Sequence, residues 1–446
     1  MASAVGCRLV TASMPMVAPT ASAFPWRHRL HWLRELWYAP MLALAMALGM
    51  FRTLVLAGIL DVGEFAAFSG AMLVSSTFCM VGGLGMPAVL QRDWPRYALE
   101  GRRRRAVVGA IQCYSLLLLT AALCAAAALA GVADDWMNRR LLVAGILHGA
   151  TQQAFMVATI ASRSEGRVRK YALQQLIKAM CVLVAGILAA RVTGSAMAVV
   201  VVELLLALFL SLTLLRRTVL RNGISGWTAI RAAHRRLPWL RWRPMLTLMV
   251  ASFVAFALLN VDRWVAAIAL SRGAFAHYSF IATLLAIAQA TQALINASVY
   301  PLLARRIVRA GRASAFNVCV RITLLLVCVG LLAVPILDLG LSYCIQRWYP
   351  AYTDTLDVSR LLLLVAVLRV SNLWPSFLIA AGHETRLLVV NLLAIAAGSA
   401  VWALLAMPHA GELTSIRSIG LLAASLSVIS TVVFAMEAWR TRDAGI

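Results

Sequence analysis

The sequence predicts an all-α polytopic membrane protein: about twelve transmembrane helices in two six-helix bundles, both termini in the cytoplasm. The composition, the recurrence of apolar runs and the placement of the arginines predict it. Of 446 residues, 62% are hydrophobic and 13% charged, whereas a soluble domain carries about a quarter charged residues. Apolar runs recur along the whole chain and leave no stretch in which a soluble domain could sit. A net charge of +24 would point to nucleic acid in a soluble protein. Here the basic residues cluster in short segments between apolar runs, the form of an orientation signal, and no nucleic-acid partner is expected.

A spanning helix needs about 20 mostly apolar residues. Twelve segments satisfy this, at 39–60, 65–90, 106–131, 141–162, 171–192, 195–215, 244–270, 277–303, 314–337, 358–381, 387–407 and 416–436. The expected organisation is an N-terminal amphipathic segment (1–38), a first bundle (39–215), a basic cytoplasmic linker (216–243), a second bundle (244–436) and a cytoplasmic tail (437–446). Alternate loops collect 29 Lys and Arg on one side against 7 on the other, and five fall within spans. That asymmetry places both termini inside and supports the span count, because one missed span would scramble the alternation. The predicted setting is a bacterial inner membrane, with membrane lipids as neighbours.

In the first 38 residues, Ala21-Ser22-Ala23 mimics a signal-peptidase site, but the preceding segment is broken by Thr, Ser and two prolines. An interfacial amphipathic segment is expected instead, with Trp26, Trp32 and Trp37 set against Arg27, Arg29 and Arg34. The eight cysteines show no CxxC spacing and mostly lie in apolar runs, as small buried hydrophobes do. The polar segments hold no Ser-His-Asp, HExxH or GxxxxGK[ST] arrangement, so neither enzymatic activity nor a cofactor or metal is expected.

A weak internal repeat divides the chain. Gly63–Ser69 reads GEFAAFS and Gly273–Ser279 reads GAFAHYS, an offset of 210; MPAVLQR at Met86–Arg92 is echoed by YPLLARR at Tyr300–Arg306, an offset of 214. Spans one and two thus pair with spans seven and eight. Six spans is an even number, so the repeat is parallel, about an axis along the membrane normal.

Asp262-Arg263, the Gly273–Tyr278 turn, and a polar helix ending in Pro301 and Arg305-Arg306 together resemble the polysaccharide biosynthesis branch of the multidrug/oligosaccharidyl-lipid/polysaccharide (MOP) exporter superfamily, which includes O-antigen flippases; the Asp61–Phe65 turn looks like the same element. The resemblance covers the layout of the whole chain, with residue-level motifs confined to these two hairpins. It implies two bundles facing each other around a central cavity. It also implies an undecaprenyl-pyrophosphate-linked oligosaccharide as substrate, with a polysaccharide polymerase and chain-length machinery as partners.

Ionisable side chains at bilayer depth cost at least about 2.5–3.5 kcal/mol, so each needs a partner or a wet cavity. The candidates are Arg52, Arg263, Arg369 and Lys178 as cavity cations, with Glu203 and Asp262 as charge partners. Arg52 and Asp262 are related by the 210-residue offset, placing cations at matching depth in both halves. Arginine suits a pyrophosphate because its fork binds phosphate oxygens in pairs and never deprotonates. The structural alternative has Asp262 neutralising an arginine locally and Lys178 pairing with Glu203. Uncharged polar residues form stripes at helical spacing: Gln289, Gln292 and Asn296; His148, Gln152, Thr159 and Ser162; Arg369, Asn372 and Ser376. Such stripes read as a hydrated wall or as hydrogen bonds between helices, and His148 alone does not specify a proton relay.

Two other functions are weighed. A cation/drug antiporter of the same superfamily needs an exchangeable carboxylate, and only Glu203 and Asp262 lie deep enough. A membrane-embedded polymerase needs a large outer loop or an acidic motif; the longest outer segment, 337–357, holds Asp338, Asp354 and Asp357.

Overall fold

The computed structural model describes residues 38–131, 138–221, 223, 226–235, 240, 242–406 and 415–442. The Trp–Arg pattern before Tyr38 and the last four residues of the tail lie outside them. The first half comprises α1 (Tyr38–Ile59), α2 (Val62–Val81), α3 (Met86–Leu99), α4 (Arg103–Leu129), α5 (Arg139–Ser164), α6 (Val168–Thr193) and α7 (Ala196–Arg221). After α8 (Gly226–Arg235) come α9 (Trp242–Ala269), α10 (Arg272–Ile281), α11 (Thr283–Trp348), α12 (Leu356–Ser371), α13 (Trp374–Ala380), α14 (Glu384–Ala406) and α15 (Ile416–Arg442).

Among the described residues eleven helical stretches are long and apolar enough to cross a membrane. One of them, Arg272–Trp348, has 77 residues, about 115 Å at 1.5 Å per residue, against a hydrocarbon core of about 30 Å. It divides at Gly311, whose φ of 77° and ψ of 171° interrupt the helix and suit glycine alone. Counting its two arms separately restores twelve passes.

Three predicted boundaries are corrected. The second span does not run to residue 90: it stops at Val81 and turns through Gly82–Gly85, with Leu84 at φ 48° and Gly85 at φ 77°. The tenth span is broken at Asn372-Leu373, because Pro375 has no amide hydrogen and its ring excludes the carbonyl four residues back. The predicted outer segment 337–357 is mostly helix: α11 continues to Trp348, and a 3-10 turn (Pro350–Thr355) leads directly into α12. The linker packs on the first half. Its Ala233 is fully buried against Val107, Val108 and Ile111 of α4, and Gln112 Nε2 donates to the Ala233 carbonyl at 3.2 Å.

The repeat is visible in the helix ends. α1 ends at Ile59 and α9 at Ala269, while α2 opens at Val62 and α10 at Arg272, each pair 210 residues apart. Both turns are capped alike: Asp61 Oδ1 accepts from Glu64 N at 2.7 Å and Ser271 Oγ from Ala274 N at 3.4 Å, satisfying helix-end amides in each case.

Within the first half α1 packs on α6, and α5 packs on α2, α4 and α7; within the second, α11 packs on α12, and α15 on α12 and α14. Close packing of α5 on α2 comes from Gly145 and Gly149, one turn apart. A methyl at Gly149 would lie 2.4 Å from the Ser75 carbonyl, and one at Gly145 2.9 Å from that of Ala71. In a membrane, where burying apolar surface drives little helix association, this small-residue approach is a main source of contact.

The halves meet at three levels. At the ends away from the basic loops, Tyr352 of the second half meets Phe65 of the first edge-on at 5.9 Å. Midway, Trp264 Nε1 donates to Thr77 Oγ1 at 3.1 Å. Toward the basic face, Gly85 lies so close to α9 that a methyl there would sit 1.9 Å from the Met245 carbonyl.

Candidate functional site

The buried charges gather into two networks, one per half. In the first, Arg52 Nη1 donates to Glu203 Oε2 at 2.6 Å, an ion pair in which Glu203 is wholly buried. Gly186 of α6 leaves the room: a methyl there would lie 2.8 Å from Glu203 Oε1. His148 Nε2 stands 3.6 Å from Glu203 Oε2, and its Nδ1 is 2.8 Å from Ser75 Oγ, a contact that the close approach at Gly149 permits. Lys178 donates to Gln152 Oε1, which turns the Gln152 amide nitrogen toward His148 Nε2 at 3.0 Å. The Lys178 ammonium lies 4.5 Å above the Phe155 ring, and the Arg52 guanidinium 5.6 Å from that of Phe68, favourable cation–π positions. Four helices, α1, α5, α6 and α7, thus contribute one series of side chains, Lys178–Gln152–His148–Glu203–Arg52.

The second network contains no ion pair among the described residues. Asp262 Oδ2 accepts from Tyr278 OH at 2.6 Å, and its Oδ1 is buried without a partner. Arg263 Nη2 donates to the Ala282 carbonyl at 2.6 Å, at the junction of α10 and α11. Arg369, 4% exposed, donates to Ser427 Oγ at 3.2 Å and to the Leu259 carbonyl at 3.1 Å. Gln289 reaches the same carbonyl at 3.4 Å. Gln292 Nε2 donates at 2.7 Å to the Asn372 carbonyl, which the helix break releases.

The structure therefore sorts the expected residues. Arg52 and Arg263 line one cavity of about 300 Å³ between the halves, together with Phe68, Ser76, Ser279 and Thr283. Arg52 also borders a cavity of about 260 Å³ inside the first half, shared with His148, Gln152 and Lys178. Arg369, Gln289 and Gln292 instead bond to helix backbones within the second half, and Asn296 Oδ1 and Asn372 Oδ1 are buried without partners. Both expected local pairings are corrected: Glu203 is taken by Arg52 rather than Lys178, and Asp262 by a tyrosine rather than an arginine. Sequence reasoning missed Ser75, Phe155, Tyr278 and Ser427 as partners. The GxxxG spacing around His148 was the signal for Ser75.

The arrangement can hold an anion between two guanidinium groups, Arg52 and Arg263, beside hydroxyls that can bond to neutral oxygens. Asp338, by contrast, pairs with Arg360 at 2.7 Å and accepts from Ser359, which gives it a helix-bracing contact.

No protein-family model and no curated protein sequence matches the chain. Solved structures do match over almost the full length. A eukaryotic MATE transporter superposes with TM-score 0.60 at 12% identity, covering 93% of this chain and 99% of its own. A MATE transporter of Vibrio cholerae gives 0.60 at 13%, covering 92% and 95%. A MOP superfamily transporter from Pyrococcus furiosus, described as having a binding pocket of reverse polarity that suggests a different function, gives 0.54 at 14%, covering 91% and 95%. The chain has the MOP transporter fold.

Proposed function

We propose that this protein, built on that fold, is an alternating-access transporter for an anionic, lipid-linked substrate, and that the substrate is an undecaprenyl-pyrophosphate-linked oligosaccharide carried across a bacterial inner membrane. The observation that supports this reading is the cavity between the halves, which takes one arginine from each. Arg52 and Arg263 line a volume of about 300 Å³, a space for a pyrophosphate rather than for a sugar chain, which would follow as the halves separate. Neighbouring Ser76, Ser279 and Thr283 offer hydroxyls to the first sugar. One fold accommodates unrelated cargoes, so the polarity of the pocket carries the argument and the fold does not. In this reading a polysaccharide polymerase and chain-length machinery act on the delivered unit.

The test is export in cells. Replacing Arg263, which donates to a backbone carbonyl, with glutamine should abolish surface polysaccharide while the protein remains in the membrane at the wild-type level. Normal surface polymer in that variant overturns the reading.

A second reading, a cation/drug antiporter of the same superfamily, is favoured by one observation: Glu203 is a wholly buried carboxylate next to a histidine. Under it, Glu203→Gln removes drug resistance and leaves polysaccharide untouched. The ion pair at 2.6 Å that already occupies Glu203 argues against it.

A further inference from the structure

On the basic face, the ends of α5, α6 and α7 enclose a separate cleft of about 500 Å³. Its wall is apolar, with Phe155 as floor and Leu173, Ile177 and Phe209 along the side. Those three are 47%, 46% and 65% exposed, so the cleft opens sideways, toward hydrocarbon. Its rim is cationic: Arg103, Lys170, Arg217 and Arg221 form no ion pair among the described residues. The single rim acid, Glu165, is matched by Arg167 at 3.1 Å.

An apolar groove facing the bilayer under a ring of basic groups at the interface is complementary to one kind of molecule, an amphiphile with an anionic head. We propose that this cleft binds one anionic phospholipid of the cytoplasmic leaflet, with its phosphodiester among Lys170, Arg103, Arg217 and Arg221 and an acyl chain along Leu173, Ile177 and Phe209. A free phosphate would satisfy the rim and leave the apolar wall unfilled, whereas a phospholipid covers both. Phe155 joins this cleft to the first polar network, since the Lys178 ammonium lies over its ring. Occupancy therefore braces α6 and α7, the helices that carry Lys178 and Glu203. The proposal is independent of the substrate reading, because the cleft is separate from the cavity between the halves.

The test uses the full-length protein, purified and stripped of lipid, titrated with phosphatidylglycerol and with phosphatidylcholine and read by native mass spectrometry. Phosphatidylglycerol should bind at least about tenfold more tightly. The triple variant Lys170→Gln, Arg217→Gln, Arg221→Gln should weaken it about a hundredfold, near a factor of five for each basic group at an anionic interface. A control triple on the same face, Arg305→Gln, Arg306→Gln, Arg309→Gln, should leave it unchanged. If the first triple fails to elute as folded protein, Lys170→Gln alone reads a loss of about fivefold. Equal affinity for the two lipids overturns the proposal, as does an equal loss in the control triple. Displacement by millimolar inorganic phosphate would make the cleft a site for a free anion. A tenfold preference for undecaprenyl phosphate over phosphatidylglycerol would make it a substrate site. Both results overturn it.

Discussion

The polar networks of the two halves carry the same net charge and stabilise it in opposite ways. In the first, two cations and one carboxylate lie in one series of side chains, with Arg52 and Glu203 at 2.6 Å and His148 standing 3.6 Å from Glu203. In the second, Arg263 and Arg369 rest on carbonyls and a hydroxyl, and Asp262 on the Tyr278 hydroxyl. The offset that carries Arg52 onto Asp262 exchanges a cation for an anion at one position of the repeat. The lesson is that a repeat conserves backbone, seen in helix ends 210 residues apart, while the charges are solved locally. A buried ion pair is costly to break from one side, whereas a charge solvated by several neutral dipoles loses them one at a time.

Four experiments break or sharpen this contrast. The largest effect is expected at the ion pair. Glu203→Ala leaves Arg52 buried and unpaired, and should destabilise the protein by about 3–5 kcal/mol, read as thermal unfolding in detergent. Arg52→Met with Glu203→Met should recover most of that loss, because a buried pair is often replaceable by well-packed apolar groups. In the second half, Tyr278→Phe strips Asp262 of its donor and should cost about 1–3 kcal/mol, while Asp262→Asn keeps the Tyr278 bond and should cost less. If Tyr278→Phe destabilises more than Glu203→Ala, the ranking of the halves reverses. Gln292→Leu orphans the carbonyl at the α12–α13 break and should cost about 1–2 kcal/mol. Faster hydrogen exchange in residues 369–376 would locate the loss there, and unchanged exchange would show that water replaces the amide. Smallest is Thr77→Val, which deletes the Trp264 bond between the halves, worth about 0.6 kcal/mol on the average for membrane proteins.

The spans were legible because each is a property of a contiguous stretch. Apolar length and arginine count do not depend on what the stretch packs against. The breaks carried local signals that were outweighed: Gly82-Gly83-Leu84-Gly85 and Pro375 stand in otherwise apolar runs, and hydropathy averages over them. Depth was legible for Arg52, Glu203, Asp262 and Arg263, but partnership was not. Residues 52 and 203 are brought together only when α1 and α7 both pack around α6, so sequence reasoning joined Glu203 to Lys178, the nearer cation along the chain. The amide stripe of α11 had the periodicity of a wall, and the structure turns Gln289 and Gln292 of that stripe toward the backbones of α9 and the α12–α13 break.

Tyr352 at the seam has a consequence for the balance of states. It stacks on Phe280 within its own half and meets Phe65 of the other edge-on, and an aromatic pair of this kind is worth about 0.5–1.5 kcal/mol. A bias of about 1.4 kcal/mol changes a two-state ratio tenfold. One ring, seated between the halves, is therefore strong enough to shift the balance between a closed and an opened seam by up to about tenfold.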